Sequence, residues 1–231
     1  LIEKPMFIHP REVNLIQRDL KNKNIFVAET LMYKFTFQYK KFIKFWNKKK
    51  NQCNKIECYF NIPEITSKTF RNSDEITSSS LYDVGSYLFS LLVDLKLYPI
   101  DLKIINFKKR KNKFLQFFIK SYDKDNIEIY LEFGFGNHYH NSVKVHYLKN
   151  YIASFDKFFF GREGEKNIIF QNKKTVKKIT THDINGFEQM FSKENSYWEK
   201  NQKERFNKLS YVNNILYSLN VQLFSPRSLK S

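Results

Sequence analysis

Lys108, Lys109, Arg110 and Lys111 stand together between two apolar stretches in IINFKKRKNKFLQFFIK, with Lys113 just beyond Asn112. The chemistry of such a run is the gripping of anionic oxygens. A guanidinium offers a planar fork to phosphate, and an ammonium is a point charge on a flexible stem. The plain alternative is a solvated turn that keeps a sheet edge soluble. Two further blocks favour the anion. From Thr30 to Ile56 there are lysines at 34, 40, 41, 44, 48, 49, 50 and 55 and no acidic residue. A surface helix needing only solubility mixes its signs. NKKTVKK then adds Lys173, Lys174, Lys177 and Lys178. The expected phosphate-binding set is Lys40, Lys41, Lys44, Lys48, Lys49, Lys50, Lys108, Lys109, Arg110, Lys111, Lys113, Lys173, Lys174, Lys177 and Lys178, the pattern that supplies non-specific nucleic-acid affinity. Of the rings among these charges, Trp46 is the candidate to stack on an unpaired base, while most of the 24 Phe and 14 Tyr must fill the core.

Other chemistry is thinly represented. His138 and His140 share one face if they lie on a strand, a spacing that can bind zinc, yet a structural zinc needs four ligands and the nearby acids and cysteines form no such pattern. The same two histidines could serve an RNA-processing enzyme as acid or base. Cys53 and Cys58, in a Lys-rich stretch, have no second Cys or His pair at zinc-finger spacing and read as two ordinary thiols. GFG at 134–136 and GREGE at 161–165 lack the pattern of a nucleotide loop. THD at 181–183 serves better as a helix cap than as a dyad. No catalytic residue, no metal ligand and no small-molecule substrate is expected.

The elements that would position these residues follow from periodicity. Val13, Ile16 and Leu20 predict a short helix after Pro10, and Thr30 to Lys50 predicts a second, with Glu29 and the terminal lysines complementing its dipole. IECYFNI reads as a short strand. Ser79 or Ser80 caps a core helix carrying Leu81, Val84, Leu88, Leu91, Leu92 and Leu95. LKIINF, KFLQFFIK, NIEIYLEF and VKVHYL read as sequential antiparallel strands. Further strands are expected at 157–160 and 167–171, followed by helices from about Thr181 and from Ser196 to Leu219. The expected fold is α+β, a central antiparallel sheet of about four to six strands flanked by helices, with basic hairpin and helical arms. The expected organisation is an N-terminal arm and basic extension over 1–65, a polar linker over 66–80, a core over 81–180 and a helical region over 181–231.

Lys and Arg number 40 against 23 Asp and Glu, a net charge of +17, and a hydrophobic content of 42% is enough to build a core around which that charge is displayed. The longest apolar run, Tyr87 to Val93, is far short of the roughly 20 residues of a membrane span. No cationic leader running into an apolar stretch opens the sequence. Two cysteines make no disulfide framework, which suits a reducing compartment.

With only 6 Gly, and with stretches such as YKFTFQYKKFIKFWNKKKN and FLQFFIKSYDKDNIEIYLEF, the chain resembles proteins encoded in AT-rich protist mitochondrial genomes, and among them mitochondrial ribosomal proteins. The resemblance is one of composition and carries no functional residue. It implies a non-enzymatic subunit of a ribosome in the mitochondrial matrix, with ribosomal RNA and neighbouring ribosomal proteins as partners and no cofactor. The other expectation is a peripheral accessory subunit of a respiratory membrane complex, its basic face toward anionic lipid or acidic neighbours.

Overall fold

The computed structural model describes residues 1–20, 23, 25–64, 71, 79–110, 113–136, 138–200 and 202–224. Most of the expected linker over 66–80 therefore lies outside the described residues, as does Lys111.

Among the described residues eight strands form a single sheet in the order β2-β3-β4-β1-β5-β6-β7-β8. They are β1 (Cys53–Pro63), β2 (Ile100–Arg110), β3 (Lys113–Tyr122), β4 (Glu128–Gly136), β5 (His140–Tyr147), β6 (Tyr151–Asp156), β7 (Gly164–Gln171) and β8 (Val176–Asp183). All neighbours are antiparallel except β1 and β4, which run parallel from Lys55↔Glu128 to Pro63↔Gly136.

The expected antiparallel sheet of about four to six strands is thus corrected to a mixed sheet of eight. The β2–β3 and β3–β4 hairpins form as expected, but β4 and β5 do not pair. β1, from far upstream, sits between them. Local turn chemistry sets hairpins, whereas insertion of a distant strand depends on which apolar faces match after collapse. Cys53, in the stretch read as a loop, opens this central strand, and Cys58, in the segment expected as a strand, lies on it fully buried.

The residues expected to form a strand at 157–160 instead turn the chain, with Lys157 at φ 51° and Phe158 and Phe159 buried. THD, read as a helix cap, ends β8, and its Asp183 caps a different helix.

One face of the sheet carries the core. Alternation on β1 and β4 sends Ile56, Cys58, Phe60, Ile129, Leu131, Phe133 and Phe135 inward, and Glu57, Tyr59, Glu128, Tyr130 and Glu132 to the other side. Over the inner face lie α3 (Ser80–Asp83) and α4 (Gly85–Asp94), buried on every side, with α7 (Gln202–Phe224) packed outside them. Phe133 rests between the rings of Phe117 at 5.3 Å and Phe89 at 6.2 Å. At the other end α2 (Phe37–Lys49) seats Phe42 against Phe155 at 4.9 Å and Phe45 against Phe170 at 5.6 Å. α1 (Pro10–Leu20) joins α7 in a smaller cluster of Phe7, Val13, Phe206 and Leu209. Short helices α5 (Gly186–Phe191) and α6 (Asn195–Lys200) complete the chain before α7.

α2 begins at Phe37 rather than near Thr30, and the reason is tertiary. The Asp183 carboxylate accepts the amides of Phe37 at 2.7 Å and Gln38 at 3.2 Å, and Thr36 Oγ1 accepts that of Tyr39 at 3.3 Å. These are the orphan donors of a first helical turn.

The outer face of the sheet is a row of polar and aromatic side chains. Lys55 bridges Glu57 at 2.9 Å and Glu128 at 3.2 Å, His146 lies 3.3 Å from Glu57, and Tyr59 stacks on His140 at 4.3 Å.

Candidate active site

Asp83 and Asp94 interrupt an otherwise apolar helical stretch. A carboxylate placed in such a segment is stable as an anion only beside buried cations. Both acids have them, at the two ends of α3–α4.

At the N-terminal end Lys4 comes in from the arm that precedes α1. Its ammonium ion-pairs with the Asp83 carboxylate and donates to the Asp83 carbonyl at 2.6 Å, with a tenth of the side chain exposed. The Arg71 guanidinium pairs with the other carboxylate oxygen at 2.6 Å and lies 5.8 Å from the Phe135 ring. The Lys4 ammonium also stands 5.1 Å from the centre of the Tyr87 ring, one helical turn after Asp83. Burial pushes the Asp83 carboxyl up, but Lys4 and Arg71 outweigh it and hold the group below the usual carboxylate range. Burial and the Asp83 charge raise the Tyr87 phenol, which stays protonated and donates to Met32 Sδ at 3.4 Å. The result is a cation held in place over the ring of a neutral phenol, with only a tenth of the Lys4 side chain exposed. Glu3 and Glu29 also act on this group, both on Tyr87 and Glu29 on Lys4, so acids stand beside the two cations on more than one side.

At the other end Asp94 takes Lys34 at 2.8 Å, Lys208 at 3.0 Å and the Tyr39 hydroxyl at 2.7 Å. These groups border a cavity of about 220 Å³ also lined by Trp198 and Arg205. Burial raises the Asp94 carboxyl and the two lysines more than offset it. Asp94 on α4 thereby ties together the segment before α2 through Lys34, α2 itself through Tyr39, and α7 through Lys208.

The expected phosphate-binding residues fall in two places. Lys40, Lys41, Lys44, Lys48 and Lys49 lie exposed on α2, with Lys50 in the turn that follows it. Lys173 and Lys174 form the β7–β8 turn, and Lys177 and Lys178 lie on β8. These two blocks meet along one edge of the sheet. Lys108, Lys109 and Arg110 end β2 at the opposite edge, roughly 34 Å away at about 4.8 Å per strand. There Arg110 pairs with Glu64, and Lys113 donates to the Arg71 carbonyl. Trp46, the stacking candidate, is core: its indole is buried and donates to the Leu95 carbonyl at 3.2 Å. His140 stacks on Tyr59 from the start of β5, and burial lowers its basicity.

Sequence reasoning missed the Lys4 cluster, placing these residues in an N-terminal arm and basic extension over 1–65. The available signal was Asp83 itself, an acid inside an apolar helix that demands a cation from elsewhere in the chain.

No protein family and no curated protein matches the sequence. Solved structures do match in fold. A 3-ketoreductase from Actinomadura kijaniata, solved with NADP and TDP-benzene, superposes with a TM-score of 0.78 at 11% identity over 94% of this chain and 68% of that one. An aldose-aldose oxidoreductase from Caulobacter crescentus, solved with glycerol, gives 0.76 at 12% over 94% and 68%. The UDP-N-acetylglucosamine 3-dehydrogenase of Acidithiobacillus ferrooxidans gives 0.69 at 11% over 99% and 71%. The chain spans between 66% and 71% of the length of such structures.

The fold is therefore one shared with sugar oxidoreductases, which overturns the reading as a ribosomal protein bound to ribosomal RNA and neighbouring ribosomal proteins. The respiratory-subunit reading and the expectation of a non-enzymatic subunit find no support either, since these neighbours are enzymes. The physical reason for the error is that composition and net charge describe the surface, and net charge argues about solubility and association, not about fold.

Proposed function

We propose that this chain forms the substrate-side sheet domain of an oxidoreductase acting on a sugar or sugar nucleotide, with Lys4 meeting the reacting oxygen. The observation that carries the reading is the Lys4 ammonium, fixed by the carboxylate and the carbonyl of Asp83 on a fold shared with such enzymes. An ammonium so held donates a hydrogen bond to a carbinol or carbonyl oxygen and can pass it a proton. Asp83 sets its position, Arg71 steadies Asp83, and the face of the Tyr87 ring backs the ammonium.

The nicotinamide dinucleotide present in one neighbour does not fit the residues described here. Such a cofactor takes a glycine-rich turn between a parallel strand and a helix N-terminus. Among the described residues the only parallel strand pair is β1–β4, beside one isolated parallel bridge at Ile2↔Glu29, and no glycine precedes Gly85 in the sequence. No step is routed through that cofactor.

The test is calorimetric titration of the protein with TDP- and UDP-linked sugars and with free aldoses, NADPH present throughout. Saturable binding of a nucleotide-linked sugar, lost in a folded Lys4→Ala variant, is expected. Absence of binding to every sugar tried, or binding indifferent to Lys4, would overturn the reading.

A further inference from the structure

β8 is the last strand of the sheet, and among the described residues no strand pairs with its outer side. Val176 is 67% exposed and Ile179 is exposed as well. Beside this edge runs the flank of α2. The helix starts over the far end of β8, where Asp183 takes its first amides, and by Phe45 it has reached Phe170, the pairing partner of Lys177. α2 and β8 are thus antiparallel neighbours. Lys41 and Lys48, four residues before and three after Phe45, share its flank of the helix, with Lys44 just outside them. On β8, pairing with Phe170 turns Lys177 toward the helix layer, and pairing with Ile169 turns Lys178 to the opposite face.

Among the described residues none of these lysines has an ion-pair partner. No acidic residue occurs between Thr30 and Ile56 or between Lys166 and His182.

Lysine on an edge strand discourages self-association, and that accounts for a cation or two on β8. It does not account for the acid-free flank of α2, which lies on no strand. Open backbone groups, two exposed β-branched side chains and cations above and below the edge together have the chemistry that receives an added strand.

We propose that β8 accepts an extended acidic segment of a partner protein as an additional strand. Alternate carboxylates of that segment meet Lys177 with the α2 lysines on one face and Lys178 on the other. A nucleic acid or a lipid surface would use the charge alone, because neither presents backbone amides to pair with the strand.

Fluorescence anisotropy with an acidic peptide of alternating Glu and Val separates these cases. A matched peptide N-methylated at alternate residues keeps the charge and removes the pairing amides. Saturable binding is expected, weakened about tenfold or more by the N-methylation and by Lys177→Glu/Lys178→Glu, because each change removes several contacts of a shared interface. Lys108→Glu/Lys109→Glu at the other edge leaves binding unchanged. Equal affinity for the N-methylated peptide would overturn the proposal, whatever the charge variants do. So would binding of a single-stranded RNA oligonucleotide or of phosphatidylserine vesicles by a protein that fails to bind the Glu-Val peptide.

Discussion

Lys4 and Asp83, 79 residues apart in sequence, share one buried ion pair in which the ammonium also donates to the Asp83 backbone carbonyl at 2.6 Å. The pair fastens the N-terminal arm to the start of the buried helices, so a single contact both anchors the arm and places a cation at the surface of the core.

Breaking that pair from one side strands a charge. Asp83→Asn is expected to destabilise the protein by about 3–5 kcal/mol in urea titrations, because Lys4 and Arg71 are then left without their carboxylate. Lys4→Met should cost less, since Arg71 still partners Asp83. If the two variants prove equally mild, Asp83 is not the organising charge of the cluster.

The outer face of the sheet gives a pH signature. Glu57 is held down to about 2 by His146 and Lys55, against an ordinary 4.5, although burial opposes the shift. A carboxylate whose folded value is depressed contributes stability in full above its unfolded value, and that contribution is lost as the pH falls from about 4.5 toward 2. Discounted for screening by solvent, the shift predicts that Glu57→Gln removes on the order of 2 kcal/mol at pH 6 and almost nothing at pH 2. Urea melts of both proteins across that range measure the convergence, and parallel curves would contradict the assignment.

Lys166 and Asp183, 3.0 Å apart and both buried, hold the β7–β8 hairpin while Asp183 caps α2. Asp183→Ala removes the pair and two capping bonds together and should cost about 4 kcal/mol or more, with early loss of helix in hydrogen exchange across 37–49. Lys166→Met keeps the cap and is expected to leave α2 protected, a difference between the two variants that a purely local role for Asp183 would not produce.

Gly134 sits at φ 140° with the Leu115 carbonyl where a methyl group would go. Gly134→Ala therefore meets backbone at a conformation that L residues avoid, and a loss of about 3 kcal/mol or more is expected from thermal melts. Gly136, with only the Gln116 side chain nearby at 3.7 Å, should accept alanine at little cost. Equal effects at the two positions would argue against the β3–β4 register.

Much of the local structure was legible in the chain itself. Apolar spacing marked α1, the buried helices and four strands, because a side chain's face follows directly from the periods of 3.6 and 2. The buried rows of β3 and β4, and of α7 from Phe206 to Leu216, lie where that spacing puts them. Lysine blocks were visible too, as were the acid-free stretches around them. What only tertiary structure decided was the company these residues keep. β1 enters between β4 and β5, Asp183 caps a helix 146 positions earlier, and Lys4 finds Asp83, because each depends on a pairing of distant segments that local periodicity does not encode. Charge alone suggested an RNA partner, while the surface on which that charge is displayed belongs to a fold shared with oxidoreductases. A sum over residues carries no coordinates, whereas the pairing of Lys4 with Asp83 is a fact of position.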